Sequence, residues 1–165
     1  MQIDLPYNIR SIINSYPKPS LKELKDYIAQ GHEWLLERHR RGATGFETVK
    51  GHTRLIDHLI ERLFLNARKD ARAKCPSASD RCSIVAIGGY GRGELNPYAD
   101  IDILFLYPSS INNYLKALTE GILYPVGPGP DRWFQYQKHW GLRKDSQKRP
   151  YCQDSPYGYK ADLRR

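Results

Sequence analysis

Cysteine is scarce in this chain. Only Cys75, Cys82 and Cys152 occur in 165 residues, an odd number at wide spacing. They form no CxxC pair and no zinc-ligand pattern, which excludes a disulfide framework and suits a reducing, cytoplasmic setting. No run of eighteen apolar residues is present, so no membrane-spanning helix is expected. The opening stretch "MQIDLPYNIRSIINSYPKPS" has no basic segment leading into an apolar core, so no secretory signal is expected either. Internal repeats and heptad runs are also missing. A content of 40% hydrophobic and 27% charged residues fits one globular domain with a real core.

The formal net charge is +8, which raises the question of a nucleic-acid partner. The excess is uneven. Residues 1–125 hold 17 Lys+Arg against 14 Asp+Glu, whereas residues 126–165 hold nine against four. The basic surplus therefore belongs mostly to the last quarter, and the main body gives no reason to expect nucleic acid.

Prolines at positions 6, 17 and 19 predict an irregular lead-in over residues 1–19. Ser20 with Glu23 three residues on forms a capping box, and a helix is predicted from Leu21 to about Arg40, with Gly31 as its weak point. "RRGATG" breaks the chain. A second helix is predicted from about Phe46 to Lys74, with Leu55, Ile56, Leu59, Ile60, Leu63 and Phe64 along one face. The period then shortens. "CSIVAIG", Cys82–Gly88, and "DIDILFLY", Asp100–Tyr107, read as buried strands. Ser109 or Ser110 is predicted to cap a third helix running through Tyr114, Leu115 and Leu118 toward Gly121. Helices followed by strand, loop, strand and helix predict an α+β layer. His32, His39, His52 and His58 show no i, i+4 pairing or clustering, so solvated or capping roles are expected of them. The tyrosines show no stacking-platform spacing.

The loop between the strands carries the chemistry. Side chains two apart in a strand share a face, so Asp100 and Asp102 should project together while Ile101 and Ile103 turn inward. Two carboxylates on one face repel, and a divalent cation relieves that repulsion. Mg²⁺ suits them, because it takes oxygen ligands and usually completes its shell with phosphate oxygens. Gly88 and Gly89 allow backbone amides to approach a phosphate, and Arg92 stands beside them to neutralise it. Glycines, arginine and paired aspartates predict a metal-dependent nucleoside-triphosphate site.

Gly88-Gly89 followed by Asp100-Ile101-Asp102 resembles the signature of the DNA polymerase beta-type nucleotidyltransferase superfamily. The longer string "GGYGRGELNPYADIDILFL" resembles more narrowly the N-terminal catalytic domain of bacterial protein-PII uridylyltransferases, the uridylyl-removing enzymes of nitrogen signalling. "RHRRGATG" (Arg38–Gly45) and "ALTEGILYP" (Ala117–Pro125) resemble flanking segments of that family. One departure is Ala99, where the family usually has serine. The resemblance covers residues 20–125 and implies a partial nucleotidyltransferase domain there. It implies that Asp100 and Asp102 hold Mg²⁺, that Gly88, Gly89 and Arg92 seat the phosphates of UTP, and that a tyrosine of the PII signal protein accepts UMP. It also implies a third metal-binding carboxylate on a later strand, and further hydrolase and regulatory domains.

Residues 126–165 have a different texture. Val126, Leu142 and Leu163 are the segment's only Val, Leu or Ile residues, too few to offset chain entropy by burial. A disordered basic tail is expected, non-native to the domain. Read one base later with free codon choice, the segment begins W-D-L-G-L and resembles the family's continuation. A frameshift near Pro125/Val126 is therefore expected, leaving an incomplete sheet and an inactive fragment. Two other readings stay open: another nucleotidyltransferase-like domain of the same superfamily, or a basic module whose tail binds nucleic acid.

Overall fold

The computed structural model of the chain describes residues 3–15, 18–78, 81–107, 111–123 and 140–141. Its first element was not expected. Helix α1, Tyr7–Asn14, lies inside the predicted irregular lead-in. The prolines bracket this helix rather than interrupt it. Pro6 occupies the N-cap, where its missing N–H costs nothing, and Ile9 and Ile13 are buried one turn apart.

Helix α2, Leu21–Arg40, has the predicted bounds, and both halves of its capping box form. Ser20 N–H donates to Glu23 Oε2 at 2.6 Å, and Glu23 N–H donates to Ser20 Oγ at 3.4 Å. Helix α3, Gly45–Lys74, repeats the device with Thr44 and Glu47. Those hydrogen bonds from Thr44 hold the Glu47 carboxyl below its ordinary range. The segment Arg38–Gly45 makes the turn between the two helices, closed by Gly42 N–H to the His39 carbonyl and Ala43 N–H to the Arg38 carbonyl, both 3.0 Å.

Gly31 is not a weak point. It is buried, and a Cβ there would collide with the Leu55 side chain. Reciprocally, a Cβ at Gly51 would lie 2.5 Å from Leu35 Cδ2. Each helix thus presents a glycine to a leucine of the other, which brings the two axes close. Tyr27 of α2 is fully buried at the same crossing. Its hydroxyl donates to the Leu55 carbonyl and accepts from His58 Nδ1, both at 2.9 Å.

Strand β1, Ser83–Ala86, pairs antiparallel with strand β2, Ile103–Tyr107, with Ala86 opposite Ile103 and Ser83 opposite Leu106. Between them lies a short helical turn α4, Gly88–Gly91. Helix α5, Asn113–Leu123, follows. Asn112 Oδ1 accepts from Leu115 N–H at 2.8 Å at its start; the predicted caps Ser109 and Ser110 lie outside the described residues. Two further residues, β3 Trp140–Gly141, pair parallel with Leu106–Tyr107. They fall in the segment expected to be a tail; the rest of 126–165 is outside the described residues.

The sheet has two unlike faces. Ile101, Ile103, Phe105 and Tyr107 are buried in one core with Leu55, Leu59 and Leu63 of α3 and Leu118 and Ile122 of α5. Leu104 and Leu106 alternate with them and are only partly buried, and Val85, opposite Leu104, is exposed. The architecture is α+β, with helices covering one face of a small sheet. Among the described residues, no helix is long and apolar enough to cross a membrane.

Candidate functional site

The loop from Ile87 to Leu95 is a hydrogen-bonded unit. Ile87 N–H donates to the Asp102 carbonyl at 3.1 Å, carrying the β1–β2 ladder one step past the strands. Gly91 N–H then meets the Ile87 carbonyl at 2.9 Å, Gly93 N–H the Tyr90 carbonyl at 2.9 Å, and Glu94 N–H the Gly89 carbonyl at 2.9 Å. Tyr90 is buried beneath the turn; burial, and then the Asp57 carboxylate its hydroxyl meets, pushes its phenol above the ordinary range.

Gly88 sits at φ +60°, the left-handed region where a side chain is strained. A Cβ there would also lie 2.8 Å from Asp102 Oδ2. The first glycine and the second aspartate are thus neighbours, with only the absent side chain between them. Gly89 is roomier, its nearest neighbour being the Glu94 carbonyl at 3.4 Å. The residue that tolerates least is Gly91, where a Cβ would meet the Ala86 carbonyl oxygen at 2.6 Å. Sequence reading singled out the adjacent pair and passed over this one.

Asp100 is exposed, Asp102 is partly buried, and Ile101 and Ile103 on either side of Asp102 are buried, so the alternation continues through the site. Asp102 is raised above the usual carboxylate range by desolvation first and by the Asp100 charge second. The two carboxylates are therefore close enough to repel. Among the described residues neither has a salt-bridge partner, and no third His, Cys, Asp or Glu joins them. Two oxygen donors with a repulsion to relieve fit a hard divalent cation. Arg92 is at hand: its Nη1 donates to the Gly88 carbonyl at 3.0 Å and its Nε to Glu94 Oε2 at 3.1 Å, with the side chain largely exposed.

The histidines depart from expectation. His39 caps neither helix end; its Nδ1 lies 2.9 Å from the carbonyl of Ala43 in the turn between α2 and α3. His32 and His52, twenty positions apart, meet through their Nε2 atoms at 3.0 Å, and His52 is 2% exposed. Nδ1 of His52 lies 3.0 Å from the Leu95 carbonyl. A carbonyl only accepts, so Nδ1 carries the proton and the bare Nε2 accepts from His32 Nε2–H. Burial lowers both imidazoles, His52 to about 4. The unfolded chain then binds the His52 proton more readily than the folded one between pH 6.5 and about 4. This contribution to stability is complete above pH 6.5 and is lost as pH falls through 4. Urea unfolding midpoints should drop across that window, with a shallower drop in His52→Gln; equal slopes would show that His52 is not the group responsible.

Residues 68–151 match the nucleotidyltransferase domain family. The chain is 34% identical to a bifunctional uridylyltransferase/uridylyl-removing enzyme of Erythrobacter litoralis over 106 residues, 63% of this chain and 12% of that protein. It is 35% identical to the enzyme of the same name from Caulobacter vibrioides over 62% of this chain and 11% of the relative, and 36% identical to that of Burkholderia lata over 67% and 12%. The chain thus spans about an eighth of the length of these curated relatives. No solved structure matches it. With the family match covering half of its residues, the glycine loop, the aspartate pair and the strand that follows it among them, the chain belongs to the nucleotidyltransferase domain family.

Proposed function

We propose that residues 20–125 form the nucleotide-donor half of a metal-dependent site that transfers UMP from UTP to a tyrosine of the PII signal protein. The observation that carries the reading is the apposition of Gly88 and Asp102, which sets side-chain-free backbone directly beside a partly buried carboxylate. Asp100 and Asp102 would hold Mg²⁺. When bound, the ion would offset charge on the triphosphate and lower the pKa of an acceptor hydroxyl. Gly88 and Gly89 would present amides to the phosphates, and Arg92, already turned toward the Gly88 backbone, would pair with their oxygens. The relatives are uridylyltransferases by name, which is the support for UTP as donor.

On this reading the 165-residue chain binds nucleotide through the aspartate pair and the glycine loop. Calorimetric titration of the full chain with UTP should show Mg²⁺-dependent binding that is lost in an Asp100→Asn, Asp102→Asn double variant. Undiminished binding by that variant would end the metal assignment.

A further inference from the structure

The glycine loop is tied to the sheet at its entry, through Ile87 and Asp102, and to helix α3 at its exit. The exit tie is made entirely by side chains. Thr53 Oγ1 accepts from Leu95 N–H at 3.2 Å, and His52 Nδ1–H donates to the Leu95 carbonyl at 3.0 Å. Consecutive residues of one helix therefore satisfy both backbone groups of one loop residue. All three are buried: Leu95 is 0% exposed, His52 2% and Thr53 7%. Lys50, one turn earlier, adds a weaker bond from Nζ to the Arg92 carbonyl at 3.5 Å. From α2, His32 donates to the bare Nε2 of His52.

Serine or threonine inside a helix often turns its hydroxyl back to the carbonyl four residues earlier, and Thr53 does so, donating to the Val49 carbonyl at 3.0 Å. The hydroxyl proton is thereby committed, and its lone pair faces Leu95 N–H. The helix thus orients an acceptor rather than offering a rotor. A buried backbone N–H and C=O with no other partner would be costly, so the loop exit has one favourable position relative to α3.

We infer that Thr53 and His52 are positioning residues that set the height of the Gly88–Gly89 backbone over Asp102, an inference that rests on the nucleotide-site reading above. Through Glu94 N–H to the Gly89 carbonyl, a shift at Leu95 is passed to the second glycine within one hydrogen bond. Neither residue touches the proposed nucleotide.

The test uses the full chain with Mg·UTP as the probe. Thr53→Val keeps the shape and removes the acceptor, and it should weaken binding about tenfold; Thr53→Ser, which restores the acceptor, should bind within about twofold of the parent. Leu59→Ala, a core change on the same helix, should be less stable yet bind normally where it is folded. Parent-like affinity in Thr53→Val, or an equal loss in Leu59→Ala, would overturn the inference. Asp102→Asn is run alongside. If it binds as the parent does, the nucleotide-site reading fails, and amide exchange judges the tie itself. Faster exchange across 88–95 but not across β2 in Thr53→Val upholds the tie, and unchanged exchange there overturns it.

Discussion

Gly91→Ala should fold poorly and bind no nucleotide, while Gly89→Ala, two residues away, should fold nearly as well as the parent. The added methyl at position 91 would lie 2.6 Å from the Ala86 carbonyl oxygen and 3.0 Å from its carbon. Those atoms belong to the backbone of β1, opposite Ile103, and cannot rotate aside as a side chain would. Relief requires the turn to lift or the strand to bend, which costs about 3 kcal/mol. At position 89 the nearest atom is 3.4 Å away, so the methyl has room. It would instead occupy space that the proposed phosphate needs. Urea unfolding and Mg·UTP titration on both variants separate the two effects. A stable Gly91→Ala that binds normally would show that the turn does not hold this close approach in solution.

The second large effect lies at the crossing of α2 and α3. Leu55→Ala should cost about 3 kcal/mol, since the side chain is fully buried and its neighbours are held by helices. Gly31→Ala alone should also destabilise. The gain in helix propensity, about 1 kcal/mol, is outweighed by overlap with the Leu55 methyls. Combined, the sign of the Gly31 change should reverse: with Leu55 shortened, the new Cβ enters space already vacated, and only the propensity gain remains. The coupling expected from a double-mutant cycle is about 2 kcal/mol. Additive effects would mean that the helices move apart to admit either change, and the close crossing would not be a fixed feature.

Features with a short period were legible in the sequence. The bounds of α2 and α3 and the buried stripe of α3 follow from capping pairs and a 3.6-residue repeat. The alternating burial of Asp100, Ile101, Asp102 and Ile103 was legible as well, but the strand expected over Asp100–Tyr107 begins only at Ile103, so both aspartates precede it. Contacts between distant positions were not legible. Thr53 and Leu95 are 42 residues apart, and His32 and His52 are 20 apart; neither pair leaves a local pattern. Gly31 departs from expectation because helix propensity registers the missing side chain but not what packs against it. Helix α1 was hidden by its flanking prolines, which signal a break in a window and a boundary in the folded chain.

The alternation along β2 has a consequence for assembly. If β2 paired with β1 one residue out of step, its two sides would exchange places. Asp100 and Asp102 would then be driven into the space under α3 and α5, and Ile101, Ile103 and Phe105 would face water. Most strands resist such a slip only by losing apolar burial. Here the misaligned sheet would also have to desolvate two carboxylates of the same sign, so the charges of the candidate site also disfavour the nearest competing alignment of the strand that follows them.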